Sequence, residues 1–134
     1  MNTLLDMECA KKGYEISNSD INLLRKSLGV LQEDGVYAFF LYLKVNKGED
    51  ILKKLYNFFS EEQILNEILP NENNVEKIFE NLRNNLAIDL NNLLFVKELL
   101  ERTMIYAIYH SRSKPKNETS EETPKASITD EQGN

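Results

Sequence analysis

Tryptophan is absent from this 134-residue chain, cysteine and histidine occur once each, and proline only three times. A lone cysteine, Cys9, excludes a disulfide framework and a cysteine-rich metal site. Nothing near His110 in sequence completes a nucleophile–base–orienter set. Nor is there a Glu-x-x-His pair of the kind a helical di-metal site needs. No catalytic residue, metal ligand or cofactor is therefore expected. No window approaches the roughly 18 apolar residues of a membrane span. The opening "MNTLLDMECAKK" has neither the basic start nor the long apolar stretch of a signal peptide. A cytoplasmic chain without a membrane partner is the expectation.

Large apolar residues are missing from the end of the chain as well. From Ser113 onward only Ile128 is large and apolar, in a stretch rich in Ser, Thr, Glu, Lys and Pro. Such a segment buries too little surface to offset its ordering entropy. Residues 113–134 read as a disordered polar tail, and residues 1–112 as one helical domain with a single modest core. The tail takes three lysines and five acids from totals of 16 basic and 22 acidic residues, leaving a body of 13 and 17. A mildly acidic body argues against a dedicated DNA binder.

What is present is helical periodicity, cut by Gly, Pro and capping residues. Residues 2–12 form a first helix ending before Gly13. Behind the caps of "SNSD", Ile21, Leu23, Leu24, Leu28, Val30 and Leu31 fill one arc of a second. Asp34-Gly35 opens a third, over residues 35–46, in which seven of the eight residues from Val36 to Leu43 are large and apolar or aromatic. A helix apolar on all sides is a central, buried one. "EDILKKLYNFFS" starts a fourth, with Lys53, Lys54 and Asn57 facing out. Ser60 to Gln63 reads as a capping box opening a fifth helix that Pro70 ends. Val75, Ile78, Phe79, Leu82 and Leu86 mark a sixth. The last, Asp89 to His110, is about 33 Å long. The predicted class is all-α: a bundle of six or seven short helices with a long C-terminal helix and a disordered tail.

That last helix is apolar on two sides. Phe95, Val96, Leu99, Leu100 and Met104 serve one core, while Leu90, Leu94, Ile105, Ile108 and Tyr109 lie among charged residues opposite. The surplus stripe predicts a protein-interaction surface, for another subunit or a second copy. Two positive groupings suit phosphates, with aromatic rings to stack on single-stranded bases. One is Lys44, Lys47, Lys53 and Lys54, flanked by Tyr42 and Tyr56. The other is Arg102, Tyr109, His110, Arg112, Lys114 and Lys116. Arg102 and His110 together resemble the arginine–histidine pair of helical HEPN ribonucleases, at an eight-residue spacing that departs from that family's shorter one.

The run "LGVLQEDGVYAFFLYLK" is similar to the pattern of the small helical subunit of type III CRISPR effector complexes. Gly35, Val36, Phe39, Phe40, Leu41, Leu43 and Lys44 fall on it, and "LLFVKELLERTMIYAIYHSRS" matches the placement of that family's last amphipathic helix. The resemblance covers about 40 of the 134 residues. It implies a non-catalytic subunit that stacks beside a guide–target duplex in an RNA-guided antiviral complex. Its partners would be other subunits and nucleic-acid backbone, single-stranded RNA or the duplex itself. Lys44, Lys47, Lys53, Lys54, Arg102 and Arg112 would then touch phosphate. A helical homodimeric adaptor without nucleic acid is the alternative.

Overall fold

In a computed structural model, which describes residues 3–114, six α-helices and one π-helical turn follow each other: α1 (Thr3–Ile16), α2 (Ile21–Asp34), α3 (Val36–Val45), α4 (Glu49–Glu61), α5 (Val75–Asn81), the π turn (Leu82–Leu86) and α6 (Leu90–Ser113). Among the described residues there is no strand, and no helix is long and apolar enough to cross a membrane. The all-α class with a long C-terminal helix is as the sequence predicts. α6 runs three residues past His110 and takes Ser113 out of the predicted tail; the tail beyond Lys114 lies outside the described residues.

Short polar residues start α2, α5 and α6, where free amides need acceptors. Asp20 accepts from the Asn22 amide at 2.9 Å, Asn74 from Lys77 at 3.0 Å and Asp89 from Asn91 at 2.8 Å. Gly35 joins α2 to α3 alone. Its amide donates to the Leu31 carbonyl, and its own carbonyl accepts from Phe39, both at 3.1 Å. The required φ of +98° suits a residue without a Cβ. α3 and α4 end in Schellman-type turns, in which the amide two residues beyond the C-cap (Gly48 to Leu43, Ile64 to Phe59) bonds back into the last turn. There Lys47 and Gln63, not glycines, take the left-handed position at φ 65° and 55°.

Gln63 explains why the fifth predicted helix does not form. Ser60 is not a cap but lies in the last turn of α4, bonded to the Asn57 carbonyl at 3.4 Å and to Asn71. After Gln63 reverses the chain, the Ile64 amide donates to the Phe59 carbonyl at 2.7 Å. Residues 64–69 then form turns that press Ile64, Leu65, Ile68 and Leu69 against the core. Asn57, predicted to face out, is buried. It accepts from the Glu72 amide at 2.8 Å and donates to the Glu72 carbonyl at 2.9 Å, pinning the extended 70–74 segment to α4.

The core gathers Leu24 and Leu31 of α2, Phe39 and Phe40 of α3, Leu52 and Phe59 of α4, and Leu99 and Leu100 of α6, all completely buried. Burying each such side chain contributes about 1.5–3 kcal/mol. The third helix is not central, however. Phe39, Phe40 and Leu43 point inward, while Leu41 and Val45 on the second face are exposed.

Candidate interaction surfaces on the α1–α6 pair

α1 and α6 run parallel, as their contacts show in order along both. Asp6 meets Arg102 and Tyr106, Gly13 meets Thr103 and Ala107, Tyr14 meets His110, and Ser17 meets Lys114. The sequence reading ended the first helix before Gly13, yet the glycine sits inside α1. A Cβ there would stand 2.8 Å from the Thr103 carbonyl oxygen and the Tyr106 Cβ. Gly13 is thus selected by packing, not by chain termination. Cys9 lies on the same seam, fully buried with its thiol toward the Leu99 carbonyl at 3.9 Å, and burial pushes its pKa up. Burial and the raised pKa both disfavour its thiolate form.

Parallel packing sets the two helix C-termini side by side, where their unpaired carbonyls gather negative potential. Cations answer it. Lys114 donates to Ser17 Oγ and Asn18 Oδ1, both at 2.5 Å, and its Nζ sits 5.3 Å from the Tyr14 ring centroid. The His110 imidazole meets the same ring edge-on at 5.3 Å. Tyr14 is 60% exposed, and Tyr109 and Arg112 lie exposed on the adjoining turn of α6. The result is an aromatic and basic corner. The sequence pattern marks its α6 half but not Tyr14, because nothing in a one-dimensional pattern pairs residue 14 with residue 110. Lys116 lies outside the described residues.

Arg102 does not join this corner. Its guanidinium faces Asp6 at 3.2 Å and Glu98 at 3.9 Å, while the Tyr106 hydroxyl donates to Asp6 at 2.8 Å. Arg102 and His110 are held on separate α1 partners, with about 12 Å of helix rise between them. The other four predicted phosphate contacts are dispersed too. Lys44 pairs with Glu76 at 3.3 Å and sits 5.5 Å above Phe79. Lys47 lines an open cleft of about 530 Å³ with Lys26, Tyr42, Asp20 and Asp50, where charges of both signs meet. Lys53 is half-buried and Lys54 exposed on α4. Tyr56, expected beside these lysines, is instead buried, with its hydroxyl accepting from Asn81 at 3.0 Å.

The interaction stripe fares differently. Leu90 is exposed, as are Leu94 at 53%, Ile105 at 39% and Tyr109 at 64%. Ile108 departs from the stripe, half-buried against the core. α1 adds Leu4 and Met7, the latter 51% exposed. On the helical wheel Met7 and Tyr14 share the side of α1 that carries Asp6 toward Arg102, so they extend the face of Ile105 and Tyr109.

Lys12 is a buried charge that no sequence motif marks. It is buried between α1 and α4, bonded to Glu15 at 3.0 Å and Glu61 at 3.2 Å, with Phe58 5.9 Å away. Its signal was available: Lys12 shares the wheel face of Cys9 and Ile16. Nearby, partial desolvation of the otherwise exposed Glu62 and the adjacent Glu8 carboxylate raise its pKa. Among the described residues no three His, Cys, Asp or Glu side chains gather as metal ligands would.

No family model matches this sequence, and no solved structure matches the chain. An alignment of 105 positions, which covers 75% of the chain, is 31% identical to the peroxisomal ATPase PEX6 of Dictyostelium discoideum. The chain spans only 8% of that protein's length.

Proposed function

We propose that this chain is a non-catalytic helical subunit of a larger assembly, of the RNA-guided defence type that its third and last helices resemble. It packs against other subunits through the exposed α1–α6 face and holds nucleic-acid backbone at the corner where those helices end. One observation carries the reading. A single pair of parallel helices presents both an exposed apolar band, Met7, Leu94, Ile105 and Tyr109, and a cationic aromatic end, Tyr14, His110, Arg112 and Lys114. Exposed rings beside cations suit single-stranded backbone and bases.

Gel-shift titration with a single-stranded RNA at two salt concentrations tests it. Binding that weakens as salt rises, and that Tyr14→Ala with Arg112→Gln abolishes, is the expected result. Absence of binding at low salt, together with absence of co-purifying subunits, overturns it.

A second reading, a homodimeric adaptor without nucleic acid, is favoured by the pairing of Lys44 and Arg102 with acids of the same chain. It predicts a dimer in sedimentation that Ile105→Asp dissociates. ATP hydrolysis, the activity in the name of the Dictyostelium protein, is not part of either reading. The Gly-x-x-x-x-Gly-Lys-Ser/Thr loop that cradles nucleotide phosphates does not occur in the 134 residues.

A further inference from the structure

On another part of the surface, a half-open groove of about 410 Å³ lies between the α2–α3 corner, the π turn and the start of α6. Val36, Leu82, Leu86, Ala87 and Leu93 line it, with Asp34, Gly35, Tyr37 and Arg83 completing the wall. Two local features keep it open. A π-helical turn is wider than an α-turn, and here it spans Leu82 to Leu86. Gly35 meanwhile carries no side chain, and a Cβ built on it would meet nothing within 4 Å. The volume falls in the range of about 300–1,000 Å³ typical of small-ligand sites.

The polar content of this apolar hollow is small and held in place. Arg83 donates from Nη1 to the Tyr37 hydroxyl at 2.7 Å, and the Tyr37 ring is itself fixed edge-on against Phe79 at 5.5 Å. Among the described residues Arg83 makes no ion pair. A guanidinium has five N–H donors in a planar fork, so four remain after the Tyr37 bond. An apolar hollow beside an unpaired, pre-oriented guanidinium complements a molecule with a hydrocarbon body and one carboxylate. Asp34 also lines the groove and disfavours a second negative charge.

We propose that this groove binds an apolar monocarboxylate, its chain against Val36, Leu82, Leu86 and Leu93 and its carboxylate on Arg83. The site stands apart from the proposed assembly role and does not depend on it.

Methyl NMR titration of the full chain with octanoate, and separately with neutral octanamide, tests the assignment. Octanoate is expected to give saturable shifts at the Val36, Leu82, Leu86 and Leu93 methyls, with octanamide about ten-fold weaker. Arg83→Gln should reduce octanoate to the octanamide level and leave octanamide unchanged. Ala87→Leu, which fills the hollow from its exposed side, should weaken both ligands. Lack of saturable shifts, octanoate affinity unaffected by Arg83→Gln, or undiminished binding to a folded Ala87→Leu variant each overturns it.

Discussion

Gly13 brings α1 so close to Ala107 of α6 that an added Cβ would stand 2.9 Å from the Ala107 amide nitrogen. The obstructing atoms are backbone and a Cβ, not the flexible end of a side chain, so the two helices themselves would have to separate. Gly13→Ala should therefore lower stability by about 1–3 kcal/mol, despite alanine's intrinsic helix advantage of about 1 kcal/mol. Thermal unfolding followed by circular dichroism checks this, and an unchanged midpoint would show the helices to be loosely coupled.

Gly29 supplies the opposite case. It lies inside α2, and a Cβ there would meet nothing within 4 Å. Gly29→Ala should stabilise the fold by about 0.5–1 kcal/mol, because it restricts the unfolded chain and improves helix propensity. Denaturant titration gives the value, and a loss of stability would contradict the open space found there.

Lys12 and Glu62 make stability depend on pH in separate ranges. The Lys12 pKa is raised: burial alone would lower it, but the bonds from Glu15 and Glu61 outweigh that. Its stabilisation is present in full below the ordinary lysine value of 10.5 and is lost as pH rises through the raised folded value. Lys12→Met should cost about 1–2 kcal/mol at pH 7, less than a fully buried pair, since both glutamates are half in water. The gap to wild type should close in strong alkali.

For Glu62, an exposed side chain, the raised pKa comes from partial desolvation and then from Glu8, and favours the protonated form in the fold. Its contribution is present below the ordinary glutamate value of 4.5 and is lost as pH rises through the folded value. Glu62→Gln should thus be neutral in acid and stabilising at pH 7. Urea midpoints at pH 3.5 and pH 7 separate the two, and equal effects at both would refute the Glu8 coupling.

Asn57→Ala should release the 70–74 segment. The buried amide satisfies both the N–H and the C=O of Glu72, and loss of such a bridge costs about 2–3 kcal/mol. Hydrogen exchange at the Glu72 amide should accelerate more than exchange in α6. Equal acceleration in both would mean a global effect instead.

The chain's local chemistry was enough to read most helices. Asp20 and Gly35 satisfy or reverse backbone within a few residues of themselves, and their roles are legible from their neighbours alone. The exposed Leu94, Ile105 and Tyr109 follow from wheel positions for the same reason. Where a residue's usual role and its neighbours' demands conflict, the sequence misleads. Ser60 resembles a cap but ends α4, and Gln63 makes the left-handed turn usually given to glycine.

The amino-acid order by itself determined that this protein is helical, where most helices start, and that the last one has more apolar surface than one core can use. Tertiary structure alone decided that Gly13 is a packing contact, that Lys12 pairs with Glu61, that Asn57 is buried, and that Tyr14 shares a corner with His110 and Lys114. Capping and periodicity act across one or two helical turns, whereas these contacts join residues 15 to 100 positions apart. Desolvation, close approach and charge pairing of that kind exist only once the chain has brought distant segments together.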